Sequence, residues 1–172
     1  MVRFSDEEMV SKLLNEFSGQ KILILAPLVK GRKGHYRELF EQVMKQGYVR
    51  ARIDGSLVEL EPGHRVDRYK VHDIELVVDR LAVSLGDETR ILRSVRTALT
   101  MGKGSMSVLP HEGVEIRHFS RNLMCPTTGL AYPDPEPNLF SFNSPYGACS
   151  NCNGLGQIAE ADAALIVPDH SK

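Results

Sequence analysis

The chain has no tryptophan and only three cysteines. It also lacks an apolar run of membrane length: "ILILAPLV" at residues 22–29 falls far short of the roughly 20 residues a spanning helix needs. The N-terminal "MVRFSDEEMV" is acidic rather than signal-like, so a soluble, cytoplasmic protein is expected. An odd number of cysteines, two of them in the pair Cys149 and Cys152, speaks against a secreted disulfide framework and for reduced thiols or metal ligands. With a net charge of −1, no global basic field draws the chain onto nucleic acid or anionic lipid. No phosphate loop is present, because "GRKGHY" and "MGKGSMS" lack the spacing that wraps backbone amides around a phosphate ahead of a lysine. The six histidines are scattered, without a helical metal-binding pair. These absences leave no candidate catalytic residue.

What is there fits one compact domain and a smaller module in 172 residues. "SDEE" at residues 5–8 forms a capping box, with Ser5 and Glu8 satisfying each other's amides, and Met9, Leu13, Leu14 and Phe17 follow on one helical face. "KILILAPLV" reads as a buried strand ended by Pro27, and "GRKG" at 31–34 as a hinge. A second amphipathic helix spans 35–46 and stops at Gly47. Asp54-Gly55 marks a tight hairpin, with Arg50 and Arg52 on its polar face. "HDIELVVDRLAVS" is a long strand, residues 88–101 a third helix capped by Asp87, and "SMSVLP" and "GVEIRHFS" closing strands. This order predicts an α+β fold: an antiparallel sheet with helices packed on one face, plus an irregular Cys-containing module.

After Arg121 the composition turns to Pro, Gly and Asn with little periodicity, so the segment needs a metal, a neighbouring domain, or both. Two pairs of cysteines about twenty residues apart would form a tetrahedral zinc site. Here Cys125, Cys149 and Cys152 are present and Thr128 stands where the fourth thiol would fall. His118 or a water could complete the three thiolates; alternatively the module is metal-free and held by Leu139, Phe140, Phe142 and Tyr146. Arg50, Arg52 and Arg80 form either a guanidinium cluster suited to carboxylates or phosphates, or a solvated sheet face interleaved with Asp54, Glu75 and Asp79.

Three blocks, "KILILAPLVKGRKGHYRELFEQVMKQGYVRARIDG", "HDIELVVDRLAV" with "RILRSVRTAL", and "EPNLFSFNSPYGACSNCNGLG", resemble, in order, the UvrA family of bacterial nucleotide excision repair ATPases. The resemblance implies an internal fragment of a longer protein: residues 1–30 the end of the first ATP-binding segment, 31–116 a UvrB-binding domain, and 117–172 a degenerate zinc-module region leading into the signature domain. It implies that the fragment is not itself an enzyme, that ATP and DNA are bound by the parent, a homodimer, and that UvrB is the partner. Arg50 and Arg80 fall in the words "GYVR" and "VVDR" that carry the family's UvrB-binding surface, with Arg52 and Asp79 as neighbours. The zinc of the family transfers incompletely, since a threonine hydroxyl is a poor replacement for thiolate. A second reading is a zinc module that contacts DNA phosphates through Arg117 and Arg121.

Overall fold

Residues 22–26 are an unbroken aliphatic run, Ile-Leu-Ile-Leu-Ala, and every one is buried, as a strand covered on both faces requires. A computed structural model describes residues 2–158 other than 85, 112, 114, 126, 131 and 133–135. It makes this segment the start of β1, Lys21–Lys33, an inner strand of a six-stranded antiparallel sheet. The elements follow as α1 (Asp6–Glu16), β1, α2 (Arg37–Lys45), β2 (Arg50–Ile53), β3 (Ser56–Glu59), β4 (Val71–Ala82), α3 (Glu88–Met101), β5 (Ser105–Pro110) and β6 (Arg117–Ser120). Strand order across the sheet is β3-β2-β4-β1-β5-β6. The α+β architecture read from the sequence is the one observed.

The core lies on one side of the sheet. Met9 and Leu13 of α1, Phe40 and Val43 of α2, and Ile91 and Val95 of α3 share one apolar cluster with Ile22, Ile24, Ile74, Leu76 and Val108. Each such buried side chain contributes on the order of 1.5–3 kcal/mol. The helix starts are set locally: Ser5 N donates to the Glu8 carboxylate at 2.8 Å, and Glu8 N donates to Ser5 Oγ at 3.2 Å. Asp87 makes no such cap; its carboxylate accepts instead from Ser84 Oγ at 2.6 Å.

Strand β1 runs past Pro27 and through Gly31, where a stop and a hinge were expected. The β5 ladder already ends at Leu25 and the β4 register shifts after Pro27, so the missing N–H falls where pairing is interrupted. A second shift changes the outcome more. Ile24 faces Asp79 and Leu25 faces Val77, leaving Val78 as an extra residue in β4. The bulge inverts the alternation beyond it, so Asp79 and Leu81 face the helices and Arg80 faces away.

Compactness divides the chain into Met1–Pro133 and Asp134–Lys172. The first unit contains β1 across residue 30 and β6 from residue 117, so the sheet extends beyond both of the boundaries expected for the domain at 31–116. It also contains Cys125, whose N–H donates to Leu130 O at 2.9 Å in a turn joined to the N-terminus through Val2 and Met124. Among the described residues of the second unit the one helical element is a 3-10 turn, Pro137–Phe140, and Phe140, Phe142 and Tyr146 are exposed rather than packed.

The hairpin is anchored to β4 through an ion pair. Asp54, at φ 50°, and Gly55, at φ 89°, form the turn. The Asp54 carboxylate accepts from Asp73 N–H at 2.9 Å and lies 2.6 Å from His72 Nδ1, while His72 Nε2 lies 2.8 Å from Asp67 O. Both ring nitrogens meet acceptors, an arrangement only imidazolium satisfies. The Asp54 contact, then the Asp67 carbonyl, raise the pKa of buried His72 despite its burial. Burial opposes ionisation of Asp54, but the Asp73 N–H and the His72 ring together hold its pKa below the usual value. The stabilisation from His72 is complete below about pH 6.5 and is lost as pH rises through its raised folded value. That from Asp54 is present above about pH 4 and is lost as pH falls through its depressed value. Thermal unfolding should therefore show a midpoint that falls by a few degrees as pH rises above about 6.5. Asp54→Asn, which keeps the left-handed turn, should flatten that limb; an unchanged slope in the variant would refute the assignment.

Candidate partner-binding face

The sheet face away from the helices is covered over Leu23 and Leu25, which are buried, and exposed around the β2–β3 hairpin and Arg80. Arg50 and Arg52 alternate with buried Ala51 and Ile53, so both arginines emerge on that face, and the Val78 bulge brings Arg80 to it from β4. Arg50 and Arg80 line one groove of about 360 Å³ together with Leu23, Leu57, Val58, Glu59, Val77 and His111. Leu57 is 53% exposed, an uncovered apolar residue beside two cations. Neither guanidinium is strongly engaged: Arg50 Nη2 is 3.4 Å from Glu59 Oε1 in an exposed pair, and Arg80 Nη2 is 3.3 Å from His111 Nε2. Exposed pairs of this kind contribute about 0–1 kcal/mol, so little holds these donors back from a new acceptor.

The other two residues expected here are placed differently. Arg52 shares the face but donates to Glu75 at 2.6 Å, with the pair largely shielded and Arg52 Nε buried without a partner. It lines a neighbouring depression with Lys30, Ser107 and His118 rather than the Arg50/Arg80 groove. Asp79 faces the helices, where it accepts from Ser94 Oγ at 2.6 Å and Arg90 Nη2 at 3.3 Å. A simple alternation along "VVDR" places Asp79 outside; the bulge is what reverses it. His111, set aside among the scattered histidines, lines the groove, and the alternation Leu109-Pro110-His111 was the signal available for it.

Of the arginines of the second reading, Arg121 is held internally and Arg117 is in a loose, exposed pair. Arg121 makes a two-pronged contact with Asp6 at 2.8 and 2.7 Å, and that contact, ahead of Arg96, pulls the Asp6 pKa down. Arg117 Nε lies 3.8 Å from Glu16.

The cysteines form two local arrangements. In the first unit, the Thr128 hydroxyl and N–H and the Thr127 N–H hydrogen-bond to Cys125 Sγ and bring its pKa down to about 7. Thr128 Oγ1 also accepts from Leu130 N at 3.4 Å, so both capacities of the hydroxyl are used inside the turn. In the second unit, the Cys152 and Asn151 N–H groups lower the Cys149 pKa, and Gly156 N donates to Cys152 Sγ at 3.3 Å. His118, the other candidate ligand, places Nδ1 3.0 Å from Ser107 Oγ, and burial, then Lys30, lower its pKa. Among the described residues of either unit, no three His, Cys, Asp or Glu side chains converge as a metal set. A donor set of three thiols with a neutral hydroxyl in the fourth place does not fit tetrahedral zinc. Thr128 instead stabilises a thiolate. Alkylation of Cys125 by iodoacetamide should follow a pH profile with its midpoint near 7. In Thr128→Val the midpoint should move up toward the ordinary thiol value of about 8.5; an unmoved profile would show that the hydroxyl has no such effect.

A family model described as the UvrA interaction domain matches residues 5–112, from the start of α1 to the end of β5. UvrABC system protein A of Halalkalibacterium halodurans is 44% identical over 166 residues, covering 96% of this chain and 17% of that protein. The proteins of the same name from Staphylococcus epidermidis and Staphylococcus aureus are each 43% identical over 96% of this chain, with 18% and 17% of their own lengths covered. The chain thus spans less than a fifth of these relatives. On the match from residue 5 to 112, it belongs to the UvrA interaction domain family.

Proposed function

We infer that this chain is the segment of a nucleotide excision repair ATPase that docks UvrB, and that the docking surface is the groove between Arg50 and Arg80. The observation that carries this reading is the meeting of those two arginines, thirty residues apart in sequence, over an apolar floor of Leu23, Leu57 and Val77. Aliphatic contacts flanked by loosely held guanidinium groups suit a protein surface that offers carboxylates beside apolar side chains. Arginine is enriched among the residues that dominate such interfaces, because its planar donors can pair bidentately when water is excluded.

The fragment supplies contact rather than chemistry in this reading. ATP and DNA are handled by the parent, and UvrB is recruited through the face opposite α1 and α3, which leaves the core untouched by docking. Asp79 has no direct part, since its carboxylate holds Ser94 and Arg90 on the helix side. Arg52 orders the face through Glu75.

Charge reversal tests this directly. Arg50→Glu and Arg80→Glu should each weaken UvrB binding in calorimetry by tenfold to a hundredfold, the equivalent of about 1.4–2.8 kcal/mol. Circular dichroism should show an unchanged fold, because both side chains are exposed at their tips. Arg90→Glu, on the helix side, should leave the affinity within about twofold. Equal affinity of folded Arg50 and Arg80 variants and the wild type would overturn the assignment.

A further inference from the structure

A second concave surface differs in chemistry from the groove between Arg50 and Arg80. Lys33, Gly34, His35, Arg65, Val66 and Arg68 line an open cleft at the far end of the β1–β4 pair. Leu23 is opposite Arg80 and Lys33 opposite Val71, so the two surfaces are ten residues, roughly 30 Å, apart along β1. The cleft is built by two short segments, "KGRKGHYR" at 30–37 and "GHRVDRYK" at 63–70. They contain seven of the chain's 21 Lys and Arg but one of its 22 acidic residues, a segregation the net charge of −1 conceals.

The two segments are held together by backbone contacts. Val66 N–H donates to His35 O at 3.2 Å, and Tyr36 OH donates to Lys33 O at 3.0 Å. Gly34, at φ 153°, passes so close to the Tyr36 ring that an added Cβ would lie 2.9 Å from it. The cations themselves are uncommitted. Among the described residues, Lys33, Arg65 and Arg68 take part in no ion pair, whereas nearby Arg37 is paired with Glu41. The Arg68 guanidinium rests 4.8 Å from the centroid of the Tyr69 ring, which is 72% exposed. The one acid of the second segment, Asp67, is turned to the Tyr69 N–H at 3.0 Å and does not line the cleft.

We propose that this cleft holds the phosphate backbone of DNA, as a contact separate from the groove between Arg50 and Arg80. The choice of occupant follows from what lines each surface. A protein interface needs apolar anchors at its centre, and among the described residues lining the cleft Val66 is the one aliphatic side chain. A polyanion needs cations at spacings its repeating charge can match, and is bound without apolar contact through counterion release. Lys33, Arg65 and Arg68 meet that requirement. Arg121 does not, because Asp6 already holds it in a two-pronged pair, and Arg117 lies on β6, outside the cleft.

The test uses the 172-residue chain and a short fluorescein-labelled DNA duplex in fluorescence anisotropy, with sodium chloride varied. Three neutralised phosphates give a log–log salt slope of about −3, a loss of roughly 40-fold in affinity between about 50 and 200 mM salt. The triple variant Lys33→Gln, Arg65→Gln, Arg68→Gln should bind at least tenfold more weakly with a slope close to zero, and should keep its thermal midpoint. Arg50→Glu/Arg80→Glu should bind the duplex as wild type does, so loss of UvrB docking and loss of DNA contact are read separately. The proposal is overturned if the wild type shows no salt-dependent binding, if the folded triple variant binds equally well, or if polyglutamate competes as strongly as unlabelled duplex.

Discussion

The antiparallel pairing of β1 with β4, with its extra residue at Val78, decides which side chains meet the core and which meet solvent. Up to Val77 the alternation in β4 follows the pleat, with Ile74 and Leu76 beneath the helices and Glu75 and Val77 outside. Beyond the bulge the phase is reversed. Leu81 returns to the core, Asp79 becomes a helix-side acceptor, and Arg80 is delivered to the same face as Arg50. Without the inserted residue Arg80 would be directed into an apolar core, where an unpaired guanidinium is strongly unfavourable. The placing of Arg80 beside Arg50 and the integrity of the core therefore share one cause.

The same strand pair separates two surfaces of positive charge. Near Leu23 and Arg80 the arginines flank aliphatic side chains, a combination that gives shape and desolvation to a protein contact. Near Lys33 and Val71 the cations Lys33, Arg65 and Arg68 line a cleft with one aliphatic side chain, Val66, among the described residues, suited to a partner recognised by charge. The rigid connection between them is the hydrogen-bonded ladder of β1 and β4. The hairpin that carries Arg50 is in turn fixed by the Asp54–His72 contact, so its position depends on the protonation of one buried histidine.

Much of the fold was legible because it rests on period and turn chemistry. The capping box at Ser5 and Glu8, the turn at Asp54-Gly55 and the helical stripes of residues 37–45 and 88–101 are local signals, and the observed elements obey them. Pro27 misled because a proline normally ends a buried strand, while here it falls at a register shift set by the partner strand. The inversion at Val78 has no local signature either: "VVDR" reads as plain alternation, and only the pairing with Ile24 and Leu25 reveals the extra residue. Of the candidate residues, Arg50 and Arg80, picked out by their words, share one groove, while the hidden bulge turns Asp79 to the helix side. The cleft at Lys33 and Arg68 was invisible because its charges come from segments thirty residues apart and vanish in the net charge. Thr128, which reads as the missing member of a metal set, instead helps to lower the pKa of Cys125.

The claim that docking uses the face opposite the helices is tested most directly by amide hydrogen exchange on the chain with and without saturating UvrB. Binding should slow exchange in Arg50–Glu59 and around Arg80 and His111, with α1 and the exposed side of α3 unchanged. Protection concentrated in α1 and α3, with the hairpin exchanging as in the free chain, would contradict it.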